Sequence, residues 1–282
     1  MYRAFLTLSL LFSGTAASAA SIGPQIAYVK AGTTSEIYLV DPDGSRSRLL
    51  YRSGQRLRIF TMDMKPGGGE LAFEEVSCCT ATNATLKVIR YDDAGTRLET
   101  KSLAVCRISS LDYHPSGSDL LFYDSCVGAR RLDTTTMTST ALVIPAGTNK
   151  VGWRNASELV YNRSTSAASE MLVAPVSSPG STTILGTTDL AESMDVSTAG
   201  DRVLVDPVDY GWLNMFNLNT GSNTTSYQIG HYGHFSPDDQ YVVYVSGYDT
   251  RGSYVMIRRT DGSGAPSRLA SKGPFGPVDW RN

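Results

Sequence analysis

Four aspartates stand at matching places in this chain. Asp63, Asp112, Asp195 and Asp279 each occupy the second position of a short segment between apolar or aromatic neighbours, and two further segments of the series carry Gly152 and His234 there. Carboxylates gathered at equivalent positions supply oxygen ligands, the natural donors for a hard divalent cation such as calcium. His234 adds a group that titrates near neutrality, which extends the chemistry to metal-assisted proton transfer. The competing expectation is structural: buried carboxylates must be satisfied, and each Asp then caps backbone amides or hydroxyls of the neighbouring segment. Should all four approach one another with no cation between them, repulsion raises at least one pKa.

The segments that carry these residues repeat. Met62-Asp63-Met64-Lys65-Pro66-Gly67-Gly68 runs into Glu70-Leu71-Ala72-Phe73, and Leu111-Asp112-Tyr113-His114-Pro115-Ser116-Gly117 into Leu120-Leu121-Phe122-Tyr123. Val151-Gly152-Trp153 precedes Leu159-Val160-Tyr161, Met194-Asp195-Val196 precedes Val203-Leu204-Val205, and Gly233-His234-Phe235 precedes Tyr241-Val242-Val243-Tyr244. The starts lie roughly 40–50 residues apart, room for four short strands and their turns, which is one blade of a β-propeller. Later strands, such as Lys87-Val88-Ile89-Arg90-Tyr91 and Tyr254-Val255-Met256-Ile257-Arg258, are rich in β-branched and aromatic residues, and no stretch has a helical period. The chain ends complete one another: Val278-Asp279-Trp280 is a first strand with no successor, and Gln25-Ile26-Ala27-Tyr28-Val29 a second strand with no predecessor. Joined, they remove the sheet edges that an open ring exposes. The expectation is an all-β, six-bladed β-propeller over residues 20–282, closed between its N- and C-terminal strands.

The turns carry a further likeness. Phe235-Ser236-Pro237-Asp238-Asp239, Glu36-Ile37-Tyr38-Leu39-Val40-Asp41-Pro42-Asp43-Gly44-Ser45 with Arg48-Leu49 after it, and Thr260-Asp261-Gly262-Ser263 before Arg268-Leu269 follow one pattern. It resembles the propeller repeat of the TolB family, the periplasmic component of the Tol-Pal system, and of related tricorn-type propellers, with Asp239 where the family string has Gly. The likeness covers essentially all of residues 20–282. Its strings are turn chemistry, with Asp accepting backbone amides, Pro fixing φ and Gly taking positive φ, so they speak for fold and not for a site. The resemblance implies a periplasmic protein-binding propeller, as TolB's is implied to bind a peptidoglycan-associated lipoprotein. TolB's N-terminal α/β domain is expected to have no counterpart ahead of Gln25, and a hydrolase domain of the kind that accompanies tricorn- and oligopeptidase-type propellers none either.

Composition and the N-terminus bound the rest. Arg3, the apolar run Ala4 to Phe12 and the small residues ending Ala17-Ser18-Ala19 read as a signal peptide over residues 1–19, cleaved before Ala20. The run is too short to span a bilayer, and the reading is a periplasmic or secreted protein with no membrane span. A net charge of −2 with 18% charged residues argues against nucleic acid as a partner. The cluster Arg52, Arg56 and Arg58 reads as a solvated edge. Cys78, Cys79, Cys106 and Cys126 read as disulfide cysteines pinning neighbouring blades, with three connectivities open and a Cys78–Cys79 ring strained.

Standard catalytic strings for a serine nucleophile, a zinc helix or a phosphate loop are missing. His114 reads as an exposed turn residue. His231 and His234, an odd number of residues apart, fall on opposite faces of a regular strand. The leading functional expectation is a non-enzymatic scaffold that binds a protein or cell-envelope component, with Tyr210, Trp212, Tyr248 and Arg251 as loop contacts of the kind that dominate interfaces. The alternative is a metal-assisted lyase or lactonase working at the Asp-lined channel beside His234.

Overall fold

The computed structural model describes residues 24–77, 83–165, 168–188, 190–207, 212–227, 230–246, 252–270, 273 and 275–281. These form six four-stranded antiparallel sheets, with no helix among the described residues. In chain order, β1 (Gln25–Lys30), β2 (Glu36–Val40) and β3 (Arg48–Arg52) come first. The first complete blade is β4 (Leu57–Met64), β5 (Glu70–Ser77), β6 (Ala84–Tyr91) and β7 (Arg97–Val105). It is followed by β8 (Ile108–Tyr113), β9 (Leu120–Asp124), β10 (Gly128–Asp133) and β11 (Thr138–Ala141), then by β12 (Thr148–Asn155), β13 (Glu158–Ser164), β14 (Ser169–Pro175) and β15 (Thr183–Thr188). The last two are β16 (Ala191–Val196), β17 (Arg202–Pro207), β18 (Leu213–Asn217) and β19 (Ser222–Tyr227), and β20 (His231–Phe235), β21 (Tyr241–Ser246), β22 (Tyr254–Arg259) and β23 (Ser267–Arg268).

The ring closes as the chain ends predict. β24 (Phe275–Arg281) lies against β1 with Trp280 opposite Ile26, Asp279 opposite Ala27 and Val278 opposite Tyr28, and so becomes the innermost strand of the blade β24-β1-β2-β3. The innermost strands β4, β8, β12, β16, β20 and β24 touch their neighbours in that cyclic order. Each blade buries both faces against its neighbours, which is why second strands read as continuous apolar runs. Along β5, Leu71 and Phe73 pack with Ile37, Leu39 and Tyr51 of the preceding blade, whereas Ala72 packs with Leu111, Leu120 and Phe122 of the next.

All six innermost strands are irregular at one level. The pairing slips between Ile59 and Met62, Ile108 and Ser110, Thr148 and Lys150, Ala191 and Ser193, and His231 and His234, and opposite Tyr28 and Lys30 in the β24–β1 pair. A bulge turns consecutive side chains toward the same side and re-aims those that follow. Simple alternation therefore does not hold between His231 and His234, and Tyr232 between them has φ 54°.

The turn strings behave as their chemistry predicts, and the departure at Asp239 has a reason. Asp239 takes the left-handed conformation that Gly would adopt, at φ 57°, and its carboxylate accepts hydrogen bonds from the amides of Thr198 (2.8 Å) and Ala199 (2.9 Å) in the preceding blade. An aspartate tolerates this backbone better than most residues, and here it adds two bonds between blades that glycine cannot make.

One histidine corrects the sequence reading. His114 is buried, with its ring edge-on to Trp153 of the next blade at 4.5 Å and Nδ1 against Ser116 Oγ at 2.7 Å. Its turn lies under a neighbouring aromatic, which a local reading of the turn does not register. Cys106 and Cys126 form a disulfide between the β7–β8 connection and the β9–β10 turn; Cys78 and Cys79 lie outside the described residues. Of the arginine cluster, Arg52 on the outer strand β3 and Arg56 in the turn after it are exposed, Arg52 against Glu36 at 2.8 Å, whereas Arg58 lies half-buried on the innermost strand β4, where its guanidinium donates to the Gly32 carbonyl.

Candidate functional site at the propeller channel

The second position of each innermost strand faces the axis, and there the side chains meet across blades. Asp63 accepts the Tyr113 amide, Asp112 that of Trp153 (2.6 Å), Asp195 that of Phe235 (2.7 Å) and Asp279 that of Met64. In each case the donor is the residue just after the second position of the next blade, so one bond type is repeated around the ring. The caps on neighbouring amides are thus made by all four aspartates. Of the two blades without such a carboxylate, one carries His234 and the other Gly152, where a Cβ would stand 3.1 Å from Asp112 Oδ2 and 3.4 Å from Met194 Cε. Its missing side chain is what lets Asp112 approach the Trp153 amide.

Each carboxylate has a second oxygen, and these converge on cations supplied by the chain itself. The guanidinium of Arg281, at the end of β24, lies 3.2 Å from Asp63 Oδ1, 3.4 Å from Asp195 Oδ1 and 3.9 Å from Asp112 Oδ1. His234 Nδ1 lies 3.0 Å from Asp279 Oδ1 and 3.4 Å from Asp195 Oδ1. Arg281 escaped the sequence reading. The available signal is period two: Arg281 stands two residues beyond Asp279 and so shares its channel-facing side.

The electrostatics follow from burial and these contacts. For His234, burial opposes the charge, but Asp195 and Asp279 outweigh it and raise the imidazole to about 10. Burial likewise opposes charge on Arg281, and the four surrounding carboxylates hold it firmly protonated. Asp195 and Asp279 feel the same desolvation, yet the two cations keep both below the usual carboxylate range, Asp279 at about 2. For Asp63 and Asp112 burial wins: it pushes Asp63 well up despite Arg281, and Asp112 to about 7. Two cations thus balance two firmly ionised carboxylates, and burial, with like-charge repulsion after it, favours the protonated form of the other pair.

A second tier of contacts lies at the level of the bulges. Glu74 of β5 accepts the Ile108 amide (2.8 Å), Asn162 of β13 that of Ala191 (3.2 Å), and Asp206 of β17 that of Tyr232 (3.1 Å), each from one blade to the next. Asp206 also holds His231 at 3.1 Å, so the two histidines of β20 serve separate carboxylates and do not share a site. Sequence reasoning passed over Glu74, Asn162 and Asp206, although a polar residue directly after three apolar ones, in Leu71-Ala72-Phe73-Glu74, Leu159-Val160-Tyr161-Asn162 and Val203-Leu204-Val205-Asp206, is a legible signal.

The channel opens at both ends. Where the innermost strands begin, a cavity of about 290 Å³ is lined by Phe60, Arg107, Lys150, Glu192, Tyr232 and His234. Phe60 is 42% exposed, with the Arg107 guanidinium 4.6 Å from its ring centre. At the other end Asp112, Trp153, Arg154 and Arg281 line a cavity of about 350 Å³. Of the loop residues expected to contact a partner, Trp212 is 41% exposed just before β18; Tyr210, Tyr248 and Arg251 lie outside the described residues.

No protein-family model matches this sequence, and no curated protein does. Among solved structures, the chain superposes on TolB from Acinetobacter baumannii with a TM-score of 0.73 at 19% identity, covering 92% of this chain and 67% of that one. A chain of a nidogen/laminin complex gives 0.65 at 9% identity, with 92% and 99% covered. A protein from Agrobacterium tumefaciens described as a TolB candidate gives 0.62 at 16% identity, with 90% and 91% covered. At these identities the likeness is one of fold, that of a TolB-like six-bladed propeller.

Proposed function

We propose that this TolB-like propeller is a non-enzymatic scaffold of the periplasm or cell envelope that binds a protein or envelope component at the channel mouth where its innermost strands begin. The observation that carries the reading is the pairing of Phe60 with Arg107 over a preformed cavity. An exposed aromatic beside a guanidinium on a rigid rim is the composition of an interface centre. Since strands alternate in direction, β17 ends and β18 begins on this same face, which brings half-exposed Trp212 to it. The signal-peptide-like residues 1–19 and the Cys106–Cys126 disulfide support a location outside the cytoplasm. The test is capture from an envelope extract with the purified propeller as bait. The partner retained by the wild type is expected to fall at least tenfold with Phe60→Ala and with Trp212→Ala, and undiminished capture by both variants overturns the assignment of this face.

The metal-assisted reading has one observation in its favour: donor atoms of Asp63, His234 and Asp279 all lie within 4.8 Å of one another. Against it, His234 is held as an imidazolium and Arg281 already neutralises the group, so a divalent cation would have to displace one charge and deprotonate the other. Elemental analysis of purified protein is expected to give far less than one metal per chain, and a chelator to leave the melting temperature unchanged. A stoichiometric metal, with destabilisation on chelation, restores the enzyme reading.

A further inference from the structure

Lys150 belongs to the bulge tier but is bonded there to a neutral group and not to a carboxylate. It stands on β12 at the slip between Thr148 and Lys150, is 8% exposed, and sends its Nζ to the Ser109 carbonyl of the neighbouring blade. Among the described residues it forms no ion pair. A protonated amine buried against a single carbonyl is poorly compensated, and an amine in such surroundings is available in its neutral, nucleophilic form. Its side chain lines the cavity of about 290 Å³ that opens on the channel mouth, a volume that admits a molecule of a few heavy atoms.

The charged groups around it come from every neighbouring element. Glu74 of β5, Glu192 of β16 and Asp206 of β17 act to keep the ammonium, Arg107 ahead of β8 acts against it, and burial decides the balance, lowering Lys150 to about 8. Glu192 stands at the rim of the same cavity, and its own carboxyl is raised by desolvation and then by Asp206. Desolvation and Asp206 favour its acid form while His231 and Lys150 oppose it, and its place on the rim lets it exchange a proton with a molecule bound in the cavity. His231 is committed to Asp206.

We infer that Lys150 is a nucleophilic amine that condenses with a small carbonyl compound, an aldehyde or 2-oxo acid, in this cavity. The Nζ lone pair attacks the carbonyl carbon as the C=O π bond opens, and one nitrogen proton passes to the new alkoxide. The carbinolamine then loses its hydroxyl as water with a proton from Glu192, leaving a protonated imine. Return of the remaining nitrogen proton to Glu192 gives the neutral imine and regenerates the acid. One amine and one carbonyl thus give one imine and one water, with no redox change. Lys150 and Glu192 line the same cavity as Phe60 and Arg107 but are not contacts in the scaffold reading, and chemistry at one lysine is read independently of partner capture.

The experiment uses the whole wild-type protein with glyoxylate as the probe and cyanoborohydride to trap the imine as a secondary amine, located by peptide mass spectrometry. The chain has six lysines, so Lys30, Lys65, Lys87, Lys101 and Lys272 serve as internal references. At pH 7.5 Lys150 is expected to react at least tenfold faster than each of the other five, and Glu192→Gln to slow Lys150 about tenfold while leaving the references unchanged. Reaction at Lys150 no faster than at the references overturns the inference, and so does a Glu192→Gln rate equal to wild type at Lys150, which removes the proton-transfer step.

Discussion

With Arg281 replaced by alanine, the propeller unfolds at a free energy about 3–5 kcal/mol below wild type, the range found when one partner is taken from a buried ion-pair cluster. The guanidinium is 13% exposed and reaches carboxylates of three other blades, Asp63, Asp112 and Asp195. Its loss leaves His234 alone to balance four aspartates, so those carboxylates must bind protons or repel one another. Adding Asp63→Asn to Arg281→Ala is expected to restore about 1–2 kcal/mol, since residues sharing a network couple to this extent. The amide oxygen can still accept the Tyr113 N–H that Asp63 accepts. Urea unfolding with an unchanged slope reads both values. A variant within about 1 kcal/mol of wild type would falsify the role of Arg281 as the channel's cation.

The second large effect is a dependence on pH centred on His234. Its folded value of about 10 lies above the ordinary 6.5, so between these values the folded state binds the proton that the unfolded state has lost. Stability from this group is complete below about pH 6.5 and disappears as pH rises through about 10, at up to about 1.4 kcal/mol per pH unit. Asp112, raised from 3.8 to about 7, acts in the same direction at lower pH: the folded state holds its proton longer, and stability falls as that proton is lost. Asp279, lowered to about 2, acts oppositely, its contribution present above 3.8 and lost as pH falls through about 2. The ring therefore contributes most in mildly acid solution. His234→Gln is expected to be about 3 kcal/mol less stable than wild type at pH 6, and the gap to close to under about 1 kcal/mol by pH 10. A gap of the same size at both pH values rules out an imidazolium at this position.

The fold was legible because its marks are local. Turn strings such as Asp41-Pro42-Asp43-Gly44-Ser45 and the repeated Asp second positions need only a few adjacent residues, and the complementary ends follow from counting strands. The aspartates could be placed on one ring from spacing alone, together with both of their possible uses, but not the cation among them. Arg281 ends a strand that was read only as far as Trp280, so the two-residue spacing that puts it on the side of Asp279 went unused. The bulges were illegible for a different reason. They arise from how a strand accommodates its partner and the curvature of the ring, so the alternation applied to His231 and His234 breaks where it was needed. His114 and Lys150 took their burial from neighbouring blades, a tertiary effect that no window around them contains.

Because β24 brings the closing strand and the channel's guanidinium in the same seven residues, a product that stops before Phe275 loses both together. Such a chain retains an open edge at β1 and three acids, Asp63, Asp112 and Asp195, with His234 as their one counterion, two faults that expose it to proteolysis where the closed ring resists it. Sensitivity to C-terminal nonsense or frameshift changes, out of proportion to the number of residues removed, is thus inherent in where the ring is fastened.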